Sequence, residues 1–69
     1  MDINSNNRLL RLPEVKDKTG LSRSSIYAFA KSGNFPKAIS LGPRAVAWIE
    51  SEITAWVNEK INRSRPMNQ

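Results

Sequence analysis

Neither cysteine nor histidine occurs in the 69 residues. Without cysteine there is no disulfide framework, no thiolate nucleophile and no thiolate-bound zinc, so an intracellular, cytoplasmic location is expected of so small a domain. Without histidine the commonest general base and the commonest metal ligand are both missing. No pair of carboxylates stands at a recognisable site either, and the chain is expected to be no enzyme and to carry no metal or cofactor. Long hydrophobic runs are also absent: the apolar stretches are a few residues each, far short of a membrane span, and the opening Met1-Asp2-Ile3-Asn4-Ser5-Asn6-Asn7 is polar. No membrane partner is expected.

What is present is positive charge. Eleven Lys and Arg stand against six Asp and Glu, a net charge of +5. In a single small domain this is a high charge density, and an anionic partner is the natural inference. Excess charge also keeps small proteins soluble, so the placement of the cations has to decide between the two.

The pattern along the chain reads as a mainly α domain with a small β-hairpin, spanning residues 8–63, with polar ends at 1–7 and 64–69 expected to be disordered. Arg8-Leu9-Leu10-Arg11-Leu12 is a short apolar stretch leading into Pro13, which suits the first turn of a helix predicted over about 13–18. Leu12 and Val15 should face inward, with Glu14 near the positive end of the helix dipole and Lys18 near the negative one. Thr19-Gly20-Leu21-Ser22 follows: a glycine able to take a left-handed backbone ends one helix, and a serine caps the next. Two short helices joined by so tight a turn cross steeply, as in a helix-turn-helix.

The second helix is predicted over about 23–32, stopped by Gly33-Asn34, with Ile26, Phe29 and Ala30 as its inner stripe and Arg23, Ser24, Tyr27, Ala28 and Lys31 on the opposite face. Ala38-Ile39-Ser40-Leu41 alternates like a half-buried strand, the chain reverses at Gly42-Pro43-Arg44, and a second strand returns over 44–48 with Val46 and Trp48 on one face. Such a ribbon must pack on helices to persist. A third helix over about 50–62 places Ile53, Trp56, Val57 and Ile61 on one side and carries acid in its first turn and base in its last. The order predicts a winged helix-turn-helix of three helices and a two-stranded wing.

Sorted by element, Arg23 and Lys31 fall on the outer face of the second helix, Lys37 just before the hairpin and Arg44 at its tip. The acids gather in the first and third helices. This segregation favours a binding surface, and the major groove of double-stranded DNA admits one α-helix whose N-terminal residues reach base edges while flanking cations meet phosphates. Arg23 is the candidate for reading a guanine, through its two parallel donors, or else a solvated first-turn residue. Ser22 either receives a phosphate or simply caps the helix. Tyr27 either stacks on sugar or donates to phosphate, or packs half-buried; Lys31 would meet phosphate alone. Arg44 on the projecting tip would reach the adjacent minor groove or backbone. Trp48 and Trp56 lie on apolar stripes and read as core.

Taken together, Arg8–Leu12, Thr19-Gly20-Leu21-Ser22-Arg23-Ser24-Ser25-Ile26-Tyr27, Gly33-Asn34-Phe35-Pro36-Lys37, Leu41-Gly42-Pro43-Arg44-Ala45-Val46-Ala47-Trp48 and Glu52-Ile53-Thr54-Ala55-Trp56 resemble the AlpA family of prophage regulatory proteins. The resemblance implies an excisionase-like, MerR-like winged helix that regulates transcription of phage or mobile-element genes. It points to Ser24, Tyr27, Ala28 and Lys31 as groove-facing and to Arg44 as the wing contact. Many members carry a larger polar or basic residue where this chain has Ala28, which here either loses a contact or meets a thymine methyl. An excisionase that bends attachment-site DNA beside an integrase is the nearest alternative reading, and an adaptor for an acidic protein is another. One helix and one wing cover about one groove's width, so a dimer or tandem copies are expected on DNA.

Overall fold

The computed structural model describes residues 8–65; of the ends expected to be disordered, 1–7 and 66–69 lie outside that range, while Ser64 is the last residue of a helix and Arg65 follows it. The elements run β1 (Leu9–Leu10), α1 (Leu12–Thr19), α2 (Arg23–Lys31), β2 (Ile39–Gly42), β3 (Ala45–Ile49) and α3 (Glu50–Ser64). The winged helix-turn-helix is borne out, with one more strand than expected.

That strand comes from the stretch before Pro13. Leu9 and Leu10 pair antiparallel with Ile49 and Trp48, so the sheet has the order β1-β3-β2. The Glu50 N–H donates to the Arg8 carbonyl at 2.7 Å, which ties the start of the described chain to the start of α3. Alternation along β1 leaves Leu9 exposed and buries Leu10.

Local chemistry sets the helix ends. Pro13 sits in the first turn of α1, and the Glu14 carboxylate accepts the Arg11 N–H at 2.8 Å, capping an amide that has no helical partner. Gly20 ends α1 at φ 75°, the left-handed backbone that glycine adopts without penalty. Ser22 then caps α2, its Oγ accepting the Ser25 N–H at 3.1 Å. At the other end of α2, Asn34 N–H donates to Phe29 O and Gly33 N–H to Ala30 O, the paired bonds of a Schellman motif with Gly33 at φ 85°.

Leu10, Val15, Ile26, Phe35, Trp48 and Ile53 form one buried cluster, one residue from nearly every element. Leu12 and Leu21 pack against it, Leu21 from the turn between α1 and α2. Phe35, in the loop after α2, meets Trp56 edge-on at 4.9 Å, while the Trp56 indole N–H donates to the Asn34 carbonyl at 2.6 Å. These two contacts fasten the loop that carries the chain from α2 to the wing. The Trp48 indole N–H is buried with no partner among the described residues, a burden that its large apolar area outweighs.

Two expectations are corrected. The strand expected over 38–41 is not half-buried: Ile39 is 37% and Leu41 49% exposed, because the principal neighbour of β2 is β3 and not a helix laid across its face. β3, by contrast, has α1 and α3 packed against it as well as both strands beside it, and Ala47 and Trp48 are both buried. Ile61, expected on the inner side of α3, is 46% exposed; α3 runs to Ser64, past the point where the small domain has core to offer.

Candidate nucleic-acid interface

In α2 the inner stripe is as the spacing required: Ile26 is buried, and Phe29 and Ala30 are partly buried against the core. Arg23, Ser24, Tyr27, Ala28 and Lys31 are all exposed. The helix therefore rests on one side and shows the other, held from both ends by its serine cap and its Schellman turn.

The eight candidate residues are not equally free. Ser22 is occupied, since its Oγ accepts from the Ser25 N–H and also bonds to the Ser25 Oγ at 3.1 Å. Its role as a cap is thus structural fact, whatever else it touches. Ser24 has no side-chain hydrogen bond to a described residue, and its hydroxyl faces water. The Arg23 guanidinium lies over the Tyr27 ring, 5.7 Å from the centroid. This contact was legible as an Arg and an aromatic four apart on one helix, and the sequence reading passed over it. Ala28 and Lys31 stand clear on the same exposed side, Lys31 in the last turn. Lys37 is exposed on the loop that Phe35 anchors.

Arg44 sits at the hairpin tip, where Gly42 pairs with Ala45 across Pro43 and Arg44. Proline holds φ negative at the first of these, and Arg44 follows at φ 62°, the sign pattern of a type II turn. Glycine or asparagine is the ordinary occupant of that second place; an arginine there costs on the order of 1–2 kcal/mol in backbone strain. The register slips by one residue between Ser40 and Gly42, leaving Leu41 as a bulge beside the tip. A bulge sharpens the twist of an edge strand and blunts its open edge.

Charge is unevenly placed: Glu14, Asp17, Glu50, Glu52 and Glu59 all lie on α1 or α3, Arg8, Lys18 and Arg63 each reach one of these acids, Arg11, Lys16, Lys60 and Arg65 form no ion pair with a described residue, and residues 23–49 hold no acid. Arg8 meets Glu14 at 3.8 Å and Glu50 at 3.5 Å, Lys18 meets Glu50 at 3.9 Å, and Arg63 meets Glu59 at 3.4 Å, all on β1, α1 and α3 or at their ends. Arg23, Lys31, Lys37 and Arg44 form no ion pair with any described residue. An open groove of about 860 Å³ lies between the α2–β2 loop and α3, and of the eight candidates only Lys37 lines it. The candidate surface is therefore an exposed helix face and a projecting turn, shapes that enter a groove instead of enclosing a small molecule. Among the described residues no cluster of acids is placed to hold a metal ion, and no helix is long and apolar enough to cross a membrane.

A family model described as "Prophage CP4-57 regulatory protein (AlpA)" matches residues 8–61, almost the whole described chain. The chain belongs to the AlpA family. Among AlpA-related sequences it is 41% identical over 59 residues to "DNA-binding transcriptional activator AlpA" of Escherichia coli K12, covering 77% of this chain and 84% of that protein. It is also 52% identical over 54 residues to "Uncharacterized protein ORF88" of Enterobacteria phage P4, 78% of this chain and 61% of the phage protein. No solved structure matches the chain. The AlpA match begins at Arg8 and ends at Ile61, so it takes in every element from β1 to most of α3, including the helix-turn-helix and the wing.

Proposed function

We propose that this AlpA-family chain binds double-stranded DNA and regulates transcription of prophage or mobile-element genes, with α2 in the major groove and the β2–β3 hairpin as a wing on the adjacent backbone or minor groove. The observation that carries the reading is the placement of charge: residues 23–49 carry Arg23, Lys31, Lys37 and Arg44, all without an ion pair to a described residue, and no acid, while every acid of the described residues lies on α1 or α3. Exposed unpaired cations suit a polyanion whose counterions they replace. The Escherichia coli relative, 41% identical over 59 residues, is named a DNA-binding transcriptional activator, which supports the same reading. Within this arrangement Ser24 and Arg23 face base edges at the start of α2, Ala28 offers a methyl to a thymine, and Lys31, Lys37 and Arg44 meet phosphates. The role is one of binding, without catalysis.

Titration of duplex DNA against salt tests this. Three phosphate contacts predict that log K falls with a slope of about −3 against log salt. Failure to bind any duplex at ~50 mM salt, where even nonspecific electrostatic binding is strong, would overturn the reading and turn attention to an acidic protein as the partner.

A further inference from the structure

Tyr27 is the large aromatic side chain that the core does not use. It is 43% exposed, and among the described rings the aromatic contacts run between Phe29, Phe35 and Trp56 without it. Its one recorded partner is the Arg23 guanidinium one turn earlier. Arg23 in turn forms no ion pair and donates no side-chain hydrogen bond to a described residue. A flexible, charged side chain in water is thus held near one place by a ring face, with all of its N–H donors uncommitted.

α3 provides a contrast. Lys60 lies over Trp56 at 5.2 Å with the same spacing of four, yet the Trp56 indole is hydrogen-bonded to Asn34 and packed against Phe29 and Phe35. There the aromatic serves the fold, and the ammonium over it is a point charge without directional pairing. In α2 the aromatic serves nothing but the cation, and the cation is a planar fork suited to two parallel hydrogen bonds.

We infer that Tyr27 is a positioning residue for Arg23: its ring holds the guanidinium ready for bidentate donation to a guanine, so that the stacked pair, and not Arg23 alone, discriminates the base at one position of the target duplex. The inference rests on the DNA-binding reading given above. It assigns Tyr27 through its ring face and not through its hydroxyl. A disordered arginine must be immobilised when it binds, and an arginine already stacked has lost part of that freedom beforehand. Because the orientation is set in the free protein, the benefit should appear as base preference, whereas a tyrosine hydroxyl on phosphate would contribute equally on every sequence.

The test begins with selection of preferred sites from a randomised duplex pool by the full chain. Recovery of no duplex at low salt would sink the DNA-binding reading itself, separately from the role of Tyr27. With a preferred site in hand, each base pair is varied against the wild type, Arg23→Ala, Tyr27→Phe, Tyr27→Ala and the Arg23→Ala/Tyr27→Ala double variant. At one position the wild type should prefer guanine by about 10- to 100-fold, a preference that Arg23→Ala abolishes. Tyr27→Ala should lose most of the same preference with an unchanged salt slope, Tyr27→Phe should keep it, and the double variant should be no worse than Arg23→Ala. Tyr27→Leu, which keeps apolar bulk without a ring face, replaces Tyr27→Ala if circular dichroism shows that variant unfolded. Undiminished guanine preference in the ring-less variants would overturn the inference. So would a loss in Tyr27→Phe as large as in Tyr27→Ala, or a loss spread evenly over all sequences.

Discussion

Two regions of this small molecule differ in where their acids stand: residues 23–49 have none, whereas α1 and α3 hold every acid of the described residues. On β1, α1 and α3, Arg8, Lys18 and Arg63 each reach a carboxylate within 4 Å. On α2, the loop after it and the hairpin tip, Arg23, Lys31, Lys37 and Arg44 reach none that the structure describes. The comparison teaches that net charge is a poor guide to partners and its distribution a better one. Cations placed where no acid stands remain available to a partner, and the same +5 spread evenly would point nowhere.

Several substitutions would break or sharpen this division. The two regions share one core, so the largest effect should fail to discriminate between them: Ile26→Ala, beneath the exposed face of α2, should destabilise by about 2–5 kcal/mol in chemical denaturation. Arg44→Gly separates stability from binding. Relief of the backbone at φ 62° should raise stability by about 1 kcal/mol, while loss of the wing cation lowers the salt slope of DNA binding by about one unit. A stability gain with no change in slope would remove the wing from the interface. Ser22→Ala should cost about 1 kcal/mol of stability through the lost cap and leave the slope as it was, since the cap bond to Ser25 N–H is its recorded work. Smallest of all, Arg63→Ala removes an exposed pair of side chains 73% and 60% accessible, and should change stability by less than about 0.5 kcal/mol in thermal melts without altering binding.

Much of this architecture was legible because it is local. Gly20, Ser22 and Gly33 declare the ends of α1 and α2 by their own backbone chemistry, and the spacing of Ile26, Phe29 and Ala30 declares which side of α2 is hidden. What escaped is what depends on distant partners. Leu9 and Leu10 become a strand only because β3 returns beside them some forty residues later, and two residues carry no period of their own. Phe35 lies in a loop with no period of its own, yet it is 5% exposed because Trp56, far along the chain, meets its ring. The alternation of Ile39 and Leu41 signalled a buried face that β2, with β3 and not a helix as its principal neighbour, does not have. At the surface, the candidate residues were named from the pattern, and the structure added which are free: Ser22 is engaged, Ser24 is not, and Arg23 is stacked on Tyr27.

The division of charge is tested most directly by the salt dependence of duplex binding in two triple variants, Lys31→Ala/Lys37→Ala/Arg44→Ala and Arg8→Ala/Lys18→Ala/Arg63→Ala, which remove the same three charges' worth from the same net +5. Binding through α2 and the wing predicts that the first variant loses about three units of slope and the second almost none. Equal losses in the two, or a larger loss in the second, would contradict it.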